Sequence, residues 1–248
     1  VHHERIKYLA AILPDLTMLY DKGLDAFMVD GTGAAQALIS RFPGIHLYGS
    51  AGLNIFNGET FTSLSRMPFV LLTLSPELKS DEIAVLVQQA TQKNPLSPVP
   101  ALIVQGAIEA MVTEDCLLEP VKKCQKDPKE RPGSRQSWYG IRDETGRIFP
   151  IHVDAGCRTY IRNAVETCLV DHLPAITAAG IGAIIIDARG RTSRYAHDMV
   201  NIYREACDAV QHPSGDTPRH LRELKGRIKT YACGGITAGP FLSGLKEE

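Results

Sequence analysis

An α/β fold built from parallel βα units is what the first part of the chain predicts, and three observations carry that reading. Short apolar runs, each about the length of a buried strand, recur at 26–29, 45–49, 69–74 and 101–105. The stretches between them, 36–41 and 81–91, repeat apolar side chains at three-to-four spacing, the period of a helix with one buried face. The strand runs are apolar throughout instead of alternating, so both faces need cover, as in a parallel sheet flanked by helices joined in right-handed crossovers.

Taken in order, residues 1–20 read as a helix with charges scattered through it, not as the basic start and apolar block of a secretion signal. Gly31-Thr32-Gly33 follows the first strand and opens a helix, as a βα turn does or as a phosphate cradle would. Ser80 marks the start of the helix before the fourth strand. After Gln105 the rhythm breaks. Residues 106–159, rich in Pro, Gly and charge, read as an insertion within the domain, ending in a hairpin over 138–153 with its turn at 143–146. Helices are then expected at 161–170 and 173–179, a fifth strand at 183–187, a long helix at 195–210 and an irregular glycine-rich tail from Thr230. Five strands are fewer than the eight of a complete (β/α)8 barrel. The expectation is one barrel-like domain over 1–248, TIM-barrel-like but incomplete, and the missing initiator Met suggests a fragment of a longer chain.

Composition narrows the function classes. The 248 residues are 44% hydrophobic and 22% charged, as in an ordinary globular protein, which excludes disorder, collagen and coiled coil. Lys and Arg number 27 against 28 Asp and Glu, so the net charge of −1 steers the molecule toward neither DNA nor anionic lipid. No apolar run reaches the ~20 residues of a membrane span, and a cytoplasmic location is expected. The histidines form no HExxH and the serines no GxSxG, so neither a zincin nor a serine hydrolase is supported.

Cys116 and Cys124 lie beyond the end of the fourth strand, where α/β proteins place working loops, and Cys157 and Cys168 follow in DAGCRTYIRNAVETC. Gathered together, four thiolates suit a structural zinc or an iron-sulfur cluster. Zinc ribbons present close CxxC pairs and none exists here, which favours a 4Fe-4S cluster over zinc. Lys122, Lys123, Arg158 and Arg162, adjacent in sequence, could offset its negative charge. The alternative is that these cysteines are small buried hydrophobes. Cys207 reads as core, and Cys233 as a spare thiol. Asn54, Asn57, Ser75, Glu77 and Glu109 fall at the carboxyl ends of strands, where polar groups line a barrel mouth or cap turns. Arg189 and Arg191, with Asp187 at the end of the fifth strand, suit an anionic ligand or a local ion pair.

Several segments together resemble the collagenase-like U-32 peptidase family: ALIVQGAIEAMVTEDCLL, GRIFPIHVDAGCRTYIRNAVETCLVDHLPAI and AIIIDARGRTSRYAHDMVNIYREA. Glu109, Met111, Val112 and Cys116, then Phe149 to Ile151, then Asn163, Cys168 and Leu169, then Arg189, Tyr195, Tyr203 and Arg204 follow the family's order, and GLNIFN and LSPEL upstream extend the likeness over 26–211. The resemblance implies a barrel-like α/β fold and an oxygen-sensitive 4Fe-4S cluster, in a family whose members support hydroxylation of RNA bases or of a quinone precursor. It implies Cys116, Cys124 and Cys168 as ligands. Cys157 is taken as the fourth, in DAGCRT, where many relatives carry their third cysteine nearer the second in a CRW-like segment. Asn54, Glu77, Glu109, Arg158, Arg189 and Arg191 are the expected substrate-binding residues.

Three functions follow from this reading: an iron-sulfur protein supporting hydroxylation of a nucleobase or small aromatic molecule, a metal-dependent peptidase, or an RNA-binding module with a structural metal. In the last, Lys122, Lys123, Lys126, Lys129, Arg131 and Arg135 would form the basic loop. The expected partners are a small-molecule or RNA substrate and a subunit of the same family.

Overall fold

The computed structural model describes residues 6–93, 98–120, 139–154 and 157–244. The chain divides into two compact units, one of Val1–Val104, His172–Ile185 and Ala238–Glu248, the other of Gln105–Asp171 and Ile186–Thr237.

In the first unit helix α1 (Ile6–Asp21) leads into β1 (Ala26–Val29), α2 (Thr32–Arg41), β2 (His46–Gly49), α3 (Gly58–Leu64), β3 (Phe69–Thr73), α4 (Ser80–Lys93) and β4 (Val99–Gly106). The helix starts are written locally. Asn57 accepts a hydrogen bond from Thr60 N at 2.8 Å, a cap of about 1 kcal/mol. Glu82 accepts from Lys79 N and, with Asp81, sets negative charge in the first turn of α4. The strands pair in parallel and in chain order, Phe27 beside Leu47, Leu47 beside Phe69 and Leu72 beside Pro100. Leu47, Ile55, Leu72 and Leu74, and Ile83 of α4, are wholly or almost wholly buried. The parallel βα units expected from the apolar runs are therefore present. Among the described residues the strands close no barrel. Helix α5 (Leu173–Ala178), with Pro174 in its first turn, and α8 (Gly239–Ser243) complete this unit.

The chain enters the second unit at Gln105, inside β4, and there the pattern changes. Strands β5 (Glu109–Thr113), β6 (Tyr139–Arg142), β7 (Ile148–Val153) and β8 (Thr159–Arg162) form an antiparallel sheet in the order β5-β8-β7-β6. The expected hairpin is β6 and β7: Asp143 Oδ1 accepts from Thr145 N, Thr145 Oγ1 and Arg147 N, and Gly146, at φ +84°, supplies the left-handed turn residue. Strand β9 (Glu166–Cys168) pairs antiparallel with the end of β4, Gln105 beside Cys168, and in parallel with β11 (Ile236–Thr237). Strand β10 (Ala183–Ile186), which belongs to the first unit up to Ile185, also pairs with β4. Helices α6 (Ser193–Gln211) and α7 (Thr217–Lys229) bury Met199, Ile202, Ala206, Leu221, Leu224 and Ile228.

Two expectations are corrected here. Residues 161–170 are not a helix but the end of β8, then β9 and a 3-10 turn, because Thr159, Ile161 and Thr167 are β-branched and neighbouring strands supply hydrogen-bond partners. The tail from Thr230 is not wholly irregular, since it holds β11 and α8. Among the described residues no helix is long and apolar enough to cross a membrane.

Candidate functional site

Gln105 ends an apolar strand with a fully buried amide, and such a group must be hydrogen-bonded to be tolerated. Its Nε2 donates to Glu166 Oε2 at 3.2 Å and to the Tyr195 hydroxyl at 3.0 Å, and its Oε1 accepts from the Tyr203 hydroxyl at 3.2 Å. Tyr195 donates in turn to Glu166 Oε2 at 2.7 Å. The other carboxylate oxygen of Glu166 accepts from Arg191 Nη1 at 2.6 Å, a charge-assisted bond in a site where Glu166 is 4% exposed. Arg191 also donates to the carbonyl of Tyr231 at 2.6 Å, and its guanidinium stacks on the Tyr195 ring, 4.1 Å from the centroid. Burial pushes both tyrosines up, so they stay protonated as donors; for Tyr195 the Glu166 carboxylate adds to the effect.

A second ion-pair group surrounds Asp187. Arg189 donates from Nε to Oδ1 at 2.9 Å and from Nη2 to Oδ2 at 2.7 Å, and Arg162 Nη1 lies 3.4 Å from Oδ2. Burial alone would raise this carboxyl, but the bidentate Arg189 bond and its charge outweigh burial and hold Asp187 below the usual carboxylate range. Gly106, at φ +127°, is required here, since any Cβ would run into the backbone of Asp187. Arg189 is 52% exposed, so the group reaches the surface.

The described cysteines are spread through this unit, and two of them flank one ladder. In the β5–β8 ladder Thr113 faces Thr159, which sets Cys116, just past β5, and Cys157, just before β8, at the same end. Thr159 fastens that end, donating to Asp115 O at 2.7 Å and accepting from Leu117 N at 3.1 Å. Cys157 has φ +64°, and its N–H donates to Asp154 O. Arg158, next to it, is buried with its Nε 3.3 Å from Asp154 Oδ2. Glu109 stands at the opposite end of β5, beside Arg162, roughly 13 Å along the strand. Cys168 is fully buried on β9, within hydrogen-bonding reach of Tyr203, and burial pushes its thiol up. Cys207 is half-buried on α6, and Cys233 is exposed, 3.8 Å from Arg191.

Four cysteines have the soft donor chemistry that zinc or a 4Fe-4S cluster requires. Cys116 and Cys157 share a ladder end, while Cys168 is a buried thiol beside Tyr203. Cys124 and the basic residues Lys122, Lys123, Lys126, Lys129, Arg131 and Arg135 lie outside the described residues. Among the described residues no group of three or more His, Cys, Asp or Glu side chains is arranged to hold a metal ion. Asn54 and Glu77 belong to the first unit. Both are exposed: Asn54 ends a 3-10 turn in the left-handed conformation, and Glu77 follows Ser75, whose Oγ accepts from Glu77 N.

The residues that composition and spacing left unassigned as a site are Gln105, Glu166 and Asp154. A glutamine closing an apolar run was the one local signal among them.

Over 253 aligned residues the chain is 22% identical to tRNA hydroxylation protein P of Haemophilus influenzae, covering 84% of this chain and 53% of that protein. The chain thus spans about half the length of this curated relative. No solved structure matches. The model of peptidase family U32 matches residues 1–247, which is nearly the whole chain, and the protein therefore belongs to peptidase family U32.

Proposed function

We propose that this protein supports hydroxylation of a base in tRNA. The observation that carries the proposal is the similarity to a tRNA hydroxylation protein along 84% of the chain, within a shared family. The site chemistry is compatible: Arg189 brings a half-exposed guanidinium to the surface, the kind of group that contacts RNA phosphates or stacks on unpaired bases. Arg158, Arg191, Glu109, Asn54 and Glu77 are the further residues proposed to bind substrate. We propose Cys116, Cys124, Cys157 and Cys168 as the ligands of a 4Fe-4S cluster, which when bound would supply the redox chemistry. Holding it requires Cys168 to lose its proton, which the Tyr203 hydroxyl favours and burial opposes. The same reading takes residues 1–248 as one TIM-barrel-like domain.

The test is nucleoside mass spectrometry on tRNA from cells with and without the gene. Loss of a nucleoside carrying one added oxygen atom, restored by the gene, is the expected result. Unchanged nucleosides, together with proteolysis abolished by chelation, would overturn it in favour of the peptidase reading. Iron and acid-labile sulfide, measured on protein purified without oxygen, test the cluster separately. About four of each per chain are expected, and one zinc per chain would replace the cluster by a structural metal.

A further inference from the structure

Cys116 and Cys157 are both half-buried, belong to segments far apart in sequence, and are brought to one end of the same ladder. The peptide groups on both sides of Cys116 are held by one side chain: Thr159 Oγ1 donates to the carbonyl of Asp115 and accepts from the N–H of Leu117. Cys157 is two residues from Thr159, so it lies within ~7 Å of that anchor, Cα to Cα. Its left-handed backbone and the bond from its N–H to Asp154 O turn the chain sharply at the same point. A disulfide needs Cα atoms ~4.4–6.8 Å apart, and both cysteines are tied to Thr159, Cys116 through the hydrogen bonds to its two flanking peptides and Cys157 through two residues of chain.

We propose that Cys116 and Cys157 form a reversible disulfide whenever no metal holds them, linking the exit of β5 to the start of β8. The step is thiol–disulfide exchange with a low-molecular-weight disulfide. The thiolate of one cysteine attacks a sulfur of the reagent and expels one thiolate, forming a mixed disulfide. The second cysteine attacks the protein sulfur of that mixed disulfide and expels the second thiolate. The cysteine pair loses two electrons, the reagent gains them, and the two protons of the cysteines pass to the expelled thiolates. The bond would shut both sulfurs off from any metal, so the oxidised chain would be a metal-refractory form.

The experiment uses the full chain, freed of iron by air and a chelator and shown by metal analysis to hold none, then exposed to oxidised glutathione. Alkylation, digestion without reductant and mass spectrometry follow. The expected result is a linked peptide pair containing Cys116 and Cys157 that disappears on reduction, with loss of two alkylatable thiols. Cys116→Ser and Cys157→Ser should each abolish it and leave the remaining partner alkylatable, while Cys207→Ser should leave it intact. Free Cys116 and Cys157 in the metal-free oxidised sample would overturn the proposal, as would a Cys116–Cys124 link in its place. Because iron is measured on the anaerobic sample and the disulfide on the metal-free one, failure of the cluster and failure of the disulfide are told apart.

Discussion

The first unit buries Leu47, Ile55, Leu72 and Leu74 fully, and its buried polar side chains among the described residues are the small hydroxyls of Thr73 and Ser75, whereas the second unit buries Gln105, Glu166, Asp187 and Arg158 as well as Met199 and Ile202. Its strands differ in the same sense. The first unit has parallel strands flanked by helices, and the second carries an antiparallel sheet whose side chains are mostly half-buried or exposed. Apolar burial tolerates many sequences of similar volume, but a buried polar network tolerates few, because each missing partner leaves a desolvated group behind. The second unit is therefore where single substitutions have specific consequences, and it also holds the cysteines and arginines that point to chemistry.

Glu166→Ala should break the comparison hardest. It strands Arg191 and removes an acceptor from Gln105 and Tyr195, so a loss of about 3–5 kcal/mol is expected, read as a lower urea midpoint. Glu166→Gln, which keeps hydrogen-bonding shape but not charge, should lose less. If Glu166→Ala unfolds no more easily than the parent, the network is not what holds this unit.

Acid should separate the units next. The Asp187 carboxyl is held below its ordinary range by Arg189, so its contribution is present above roughly pH 4 and is lost as pH falls through the lower folded-state value. Asp187→Asn should remove that part of the acid limb in a pH series of unfolding curves. An unaltered acid limb would show that the pair with Arg189 contributes nothing to it.

The smallest effect is expected in the first unit at Asn54, whose φ of +51° strains most residues with a Cβ but is tolerated by Asn and costs Gly nothing. Asn54→Ala should cost about 1 kcal/mol and Asn54→Gly almost nothing. A drop in the proposed tRNA hydroxylation without any change in stability for Asn54→Ala would instead sharpen the case for a substrate role.

Much of the first unit was legible because its evidence is local. An apolar run such as FVLL at 69–72 needs cover on both faces wherever it lies, and Asn57 or Glu82 caps a helix by touching residues three positions away. The 143–146 turn was legible for the same reason. The spacing of residues 161–170 admits a helix, and only the partners on β5, β7, β4 and β11 make extended backbone the better-bonded choice.

By itself the sequence determined the alternation of parallel strands and helices, the hairpin, and the run of motif residues that places the chain in its family. Only the tertiary structure decided that Glu166 is a buried ion-pair centre, since Gln105 is 61 residues before it, Arg191 25 after and Tyr195 29 after. It also decided that Cys116 and Cys157 flank the same ladder end while Cys168 stands beside Tyr203. The reason is physical: hydrophobic periodicity is set by neighbours along the chain, but the partner of a buried charge is whatever the fold delivers to it across that distance.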